Sequence, residues 1–185
     1  MEATNGTRDY YRAHNDIRPR LSGRDKKTIQ DERDGIDPGA KGALAFFDPD
    51  KGTLDIVDCP IVEVKRGAKT KTEISPQMAA AIIRSRSPVW AILEKVGAMP
   101  GQGVSSMFQF GRGVGMYEGV LAALQVPVTY VTPQTWQKAV GARDGKDATR
   151  LRAAELFPAY AQTFARKKDD GRADAACMAY WGAMK

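Results

Sequence analysis

The sequence predicts an α/β fold, a mixed five-stranded sheet flanked by helices. Two observations lead there. From Gly35 to Val64 three strand-like runs succeed one another with only short turns between them. From Pro76 onward, helical and apolar runs alternate. Consecutive strands joined by short turns form an antiparallel meander, whereas strands that follow helices run parallel. The two halves together make the sheet mixed.

The elements follow in order. The first strand leads into the turn Gly35-Ile36-Asp37-Pro38-Gly39. "GALAFFD" and "TLDIVDCPIVEV" read as the second and third strands, with "PDKG" as the turn between them. Lys65 to Glu73 reads as a polar loop. Ser75 is an N-cap and Pro76 a first helical residue, opening "PQMAAAIIRSRS". "VWAILEKV" is a buried strand, "GAMPGQG" a loop, and Ser105-Ser106 caps a long helix to about Leu124. "VPVTYVT" is the fifth strand and Pro133 opens "PQTWQKAV". "DATRLRAAELF" and "RADAACMAYWGAM" close the chain as helices.

Composition narrows the function. The 185 residues suit one domain with its own core. We divide the chain into a polar tail over 1–33 and a domain over 34–185. No apolar run reaches the roughly 20 residues that cross a bilayer, so no membrane is expected. Two distant cysteines, Cys59 and Cys177, suggest neither a disulfide scaffold nor a zinc site, and fit a reducing, cytoplasmic setting. A single histidine, His14, argues against a serine-type or histidine–zinc centre. The net charge of +6 points to a polyanionic partner, and it concentrates late: Trp136 to Arg172 holds nine cations against five acids.

The acids are the chemical signal. Asp37 ends a strand at a Pro-Gly turn. Glu94 interrupts an apolar run, where an ionised carboxylate needs a metal or a cation; pairing with Lys95 at an edge is the plainer account. Asp170 and Asp174, four apart, share one face of a helix that continues into alanines and Cys177-Met178. An acidic helix start would explain Asp169, but it fits Asp174, a turn further in, poorly. Four carboxylates without nitrogen or sulfur ligands select hard cations, Mg²⁺ or Mn²⁺, and a pair of such ions suits phosphodiester hydrolysis.

"GIDPGAKGALAFFD", "AILEKVGAMPGQGVSSMFQFGRGVGMYEGVLAAL", "VTYVTPQTWQKAVG" and "RLRAAELFP…RKKDDGRADAACMAYWG" together resemble, in order and spacing, the RuvC-like Holliday junction resolvases. The likeness is greatest to phage and bacterial relatives of the chloroplast resolvase branch, and it runs from about Gly35 to the C-terminus. It implies an RNase H-like fold and a homodimer that nicks a four-way DNA junction symmetrically, in a bacterial or phage-infected cell. It also implies two Mg²⁺ ions per site (Mn²⁺ substituting) and no small-molecule cofactor. By motif, Asp37, Glu94, Asp170 and Asp174 become the metal-binding catalytic acids, with Asp169 as a substitute for Asp170. Ser105, Ser106 and Phe108 become DNA contacts, the phenylalanine as a wedge between bases. Lys138, Lys146, Lys167 and Lys168 become phosphate contacts. A structure-selective nuclease acting on flaps, forks or hybrids, and a non-catalytic junction binder, are the alternatives. Relatives carry several apolar residues before the turn; "TIQDERDGID" has almost none, so a frayed first strand is expected.

Overall fold

The computed structural model describes residues 32–67, 69–95, 97, 101, 103–142, 145 and 147–185. Residues 1–31, most of the expected tail, lie outside them. Seven strands are present: β1 (Arg33–Ile36), β2 (Ala43–Asp48), β3 (Thr53–Asp58), β4 (Ile61–Arg66), β5 (Lys69–Ile74), β6 (Trp90–Glu94) and β7 (Val128–Val131). Five form one sheet in the order β3-β2-β1-β6-β7. β1–β2 and β2–β3 are antiparallel, whereas β1–β6 and β6–β7 are parallel, as the connections predict.

Five helices cover the sheet: α1 (Pro76–Arg86), α2 (Val104–Ala123), α3 (Pro133–Val140), α4 (Ala148–Leu156) and α5 (Asp170–Ala183). None is long and apolar enough to cross a membrane. One apolar layer joins the sheet to α1 and α2 through Ile36, Leu44, Ile83, Leu93, Tyr117 and Leu121. The other joins it to α3, α4 and α5 through Ile92, Trp136, Ala153, Ala175, Met178 and Trp181. Cys59 and Cys177 are buried and free, one in each layer.

Four local expectations change. β1 is short but not frayed: it lies at the centre of the sheet, paired on both sides. The run "TLDIVDCPIVEV" is not one strand. It breaks at Cys59-Pro60, because proline has no N–H for a ladder. The polar loop after it is instead the second arm of a hairpin, β4–β5, separate from the main sheet. Helix α2 is capped by Gly103 without a side-chain hydrogen bond, which moves Ser105 and Ser106 into its first turn. The Ser75 cap does form, its hydroxyl accepting from the Met78 N–H at 3.3 Å.

Candidate functional site

α5 is the element that brings the acids together. It is lined with alanine, glycine and cysteine, so it lies almost directly on β1. A Cβ at Gly35 would stand 2.1 Å from the Ala175 carbonyl oxygen. The first turn of α5 touches the loop after β1 just as closely: Gly42 and Gly171 form a parallel bridge, and a Cβ at Gly171 would meet Asp37 Oδ2 at 3.0 Å. On the other side, α2 packs at Gly113 against the Pro38 carbonyl.

Asp37 and Glu94 each follow a registered pair, Ile36 opposite Leu93, so they occupy equivalent places at the ends of the two central parallel strands. Strand alternation puts Asp37 on the α5 face with Gly35, and Glu94 there with Ile92. Asp174 comes from α5 above them. All three are half-buried. Burial pushes the Glu94 carboxyl up to about 7, with the Asp37 charge adding to the shift. Asp174 rises to about 8, first by burial and then by the charges of Asp37 and Glu94. Asp37 is raised by burial too, against the pull of the Gly39 N–H, which donates to its Oδ1 at 3.3 Å.

The Asp37 charge thus reaches both Glu94 and Asp174, and the Glu94 charge reaches Asp174. Among the described residues no lysine or arginine pairs with any of the three. One neutral donor holds Glu94: the Trp136 indole N–H donates to its Oε1 at 3.2 Å. The Thr149 side chain offsets part of the rise at Asp174. Trp136 is fully buried on α3, so its ring is anchored by packing and its N–H aimed by it. Sequence reading missed this holder: nothing in "PQTWQKAV" marks a contact between Trp136 and Glu94, 42 positions away.

The remaining acids behave differently. Asp170 is exposed, and Arg150 Nε lies 2.7 Å from its Oδ1, off the line of a hydrogen bond. Asp169 is buried but held by the Arg166 fork at 2.9 and 3.0 Å, and Arg172 comes within 3.4 Å. It is thus engaged with arginines rather than with the other three acids. Asp34 was not expected as a buried group. It faces the α1–α2 layer, fully buried, with neither carboxyl oxygen hydrogen-bonded, and burial pushes its carboxyl well above the usual range.

The donor set suits a hard cation: oxygen only, clustered, and lacking a positive partner. As placed, though, no group of three or more His, Cys, Asp or Glu among the described residues is arranged to hold one ion. Seating a metal would require the carboxylates to draw inward.

Of the expected DNA contacts, Ser105, Ser106, Lys138, Lys167 and Lys168 are exposed. Phe108 is 68% exposed while Phe110 turns partly inward, so the two phenylalanines do face different ways. Lys146 lies outside the described residues. Gly111, Gly115 and Gly119 do not pack on the sheet; a Cβ at any of them would meet nothing within 4 Å.

No protein-family model and no curated protein matches the chain in sequence. Solved structures do match. Thermus thermophilus RuvC in complex with a Holliday junction substrate aligns with a TM-score of 0.53 at 14% identity, over 82% of this chain and 92% of that one. A second Thermus thermophilus RuvC structure gives 0.52 at the same identity and coverage. Strand order, mixed directions and flanking helices agree with this likeness: the chain has a RuvC/RNase H-like α/β fold.

Proposed function

We propose that the protein is a divalent-metal-dependent endonuclease that cuts four-way DNA junctions. One observation carries the reading. Asp37, Glu94 and Asp174 converge from two central strands and one helix, are all raised by burial, with neighbouring carboxylates adding to the rise at Glu94 and Asp174, and lack a cation among the described residues. Isolated carboxylates in such a place are costly, and a bound cation removes the cost. The likeness to RuvC, solved with a Holliday junction, supplies the substrate class.

In this reading Asp37, Glu94 and Asp174 hold the metal, with Asp170 at the rim. Bound Mg²⁺ would activate a water and stabilise the leaving oxygen of the phosphodiester. The chain's own part is orientation and proton release. Trp136 holds Glu94 in place through its indole N–H. Protons held near neutral pH on Glu94 and Asp174 leave as the cation arrives, so metal affinity rises with pH across the range from 6 to 9. Ser106, which lines a cavity with Pro38, Gly39 and Ala40 of the Asp37 turn, and its exposed neighbour Ser105 would take a phosphate, and exposed Phe108 offers a ring to an unstacked base. Lys138, Lys167 and Lys168 contribute sequence-independent backbone contacts. The protein would act as a homodimer, with one site for each of the two symmetric nicks.

Nicking of a labelled four-way junction, mapped at nucleotide resolution, tests this. Asp37→Asn and Glu94→Gln are each expected to lower the rate by about a thousandfold. Unchanged nicking would end the proposal. The absence of a ready three-acid grip favours one competitor, a junction-binding protein without catalysis. Calorimetric titration with Mn²⁺ separates the two, since the competitor predicts no carboxylate-dependent heat.

A further inference from the structure

We propose that the β4–β5 hairpin is a DNA-binding arm that grips backbone phosphates of the duplex leading away from the cut. This rests on the nuclease reading above and extends it to a surface nothing else in the fold explains. The hairpin is not part of the five-stranded sheet. Ile61, Val62, Glu63 and Lys65 on one strand and Thr70, Lys71 and Thr72 on the other are exposed, so both faces meet solvent. A lone two-stranded ribbon is marginal in water. Its persistence here depends on its base. The Ser75 N–H donates to the Pro60 carbonyl at 2.8 Å, Ile74 packs into the α1–α2 layer, and Arg112 on α2 pairs with Glu73 at 2.6 Å.

Charge is distributed unevenly along the ribbon. The acids, Glu63 and Glu73, sit in its proximal half, and Glu73 is neutralised by Arg112. The distal half holds Lys65, Arg66, Lys69 and Lys71 and no acid. Register sets Lys65 opposite Thr70 and Lys71 opposite Val64. Because neighbouring positions alternate, Lys65 and Lys71 stand on opposite faces. A two-stranded ribbon fits the major groove of B-DNA, and cations on both faces would meet the phosphates of both walls.

Position ties the arm to the site. Thr72 and Ile74 share a cavity of about 290 Å³ with Gly39, Ala40, Ser106 and Arg112, directly beside the Asp37 turn. From that base to the tip the ribbon spans about 17 Å, or roughly five base pairs of duplex.

The test uses the full chain with Lys65→Gln and Lys71→Gln combined, titrated against a labelled four-way junction without divalent metal, over a series of salt concentrations. Two lost phosphate contacts should flatten the slope of log affinity against log salt by about 1.8 and weaken binding roughly tenfold. The Lys65→Arg, Lys71→Arg pair should restore the slope. Lys51→Gln, on the β2–β3 turn, should leave it alone. A wild-type slope in the Gln pair, or an equal loss from Lys51→Gln, overturns the arm. Junction cutting by the wild type, assayed in parallel with Mg²⁺, keeps the two ideas apart. Cutting with an unchanged slope defeats the arm alone, and a flattened slope without cutting defeats only the nuclease reading. No binding at all defeats both.

Discussion

Two groups of acids lie around the start of α5, and they differ only in what stands opposite them. Asp58 and Asp169 are answered by arginine. Arg172 forks onto Asp58 at 2.5 Å through two nitrogens, and Arg166 grips Asp169. These arginine hydrogen bonds hold both carboxyls below the usual carboxylate range. Asp37, Glu94 and Asp174 face no arginine among the described residues, and burial raises all three, with neighbouring carboxylates adding to the rise at Glu94 and Asp174. Sign of shift thus separates the two arginine-held acids from the three at the strand ends and on α5. An acid-rich stretch such as "KKDDGRAD" contains both kinds, and burial alone does not sort them: Asp169 is more buried than Asp174.

The comparison breaks most sharply at Asp169. Asp169→Ala leaves Arg166 and Arg172 without their shared partner. The arginines are partly exposed and rehydrate, so the loss should be about 2 kcal/mol rather than the larger cost of a fully buried pair. Denaturant unfolding measures it, and the folded fraction should still cut DNA at the wild-type rate. A catalytic loss larger than the stability loss would place Asp169 with the other group.

Asp34 belongs to neither group, being buried without any partner. Asp34→Val, nearly matched in size and suited to a strand, should stabilise the protein by about 2 kcal/mol at neutral pH. The gain should depend on pH. The folded carboxyl keeps its proton to higher pH than the unfolded one. Its contribution to stability is therefore full below the unfolded value of about 4 and lost as pH rises through the folded value. Melting curves of both proteins at acidic and alkaline pH should diverge upward; a constant gap would show that Asp34 does not titrate.

Trp136→Phe keeps the buried ring and removes only the donor to Glu94. A hydrogen bond to a carboxylate of this kind should be worth about tenfold in cleavage rate. Losing it also raises the Glu94 pKa, so the rising limb of the pH–rate profile should move to higher pH. A merely structural tryptophan would lower the rate without moving that limb. The smallest effect is expected at Asp170→Asn. The exposed pair with Arg150 contributes under about 1 kcal/mol. Cleavage should fall at least tenfold less than in Asp174→Asn; equal losses would make Asp170 a full ligand.

Much of this was readable from residues alone. Period-two apolar runs and the helices between them specify the sheet and its parallel half, because both follow from backbone geometry. Asp37 stood out at a strand end beside a Pro-Gly turn, although such a turn accepts aspartate for structural reasons alone, and only the other acids of the chain gave it a chemical meaning. Glu94 was legible because it breaks an apolar run. The hairpin was not, since "KRGAKTKTE" lacks apolar alternation and its strands are held at the base rather than by a buried face. Nor were the roles of Asp169 and Asp170, adjacent in the chain yet turned toward different arginines.

By itself, then, the sequence determined the order of elements, the directions of the strands and which acids were available, since local spacing and propensity carry that information. Only the tertiary structure decided which acids face arginines, which gather at the strand ends, and that Trp136 holds Glu94. Apart from the local arginine pairs of Asp169, those contacts join residues far apart in the chain, such as Trp136 with Glu94 and Arg172 with Asp58, and their energies depend on distance and burial that no local pattern encodes.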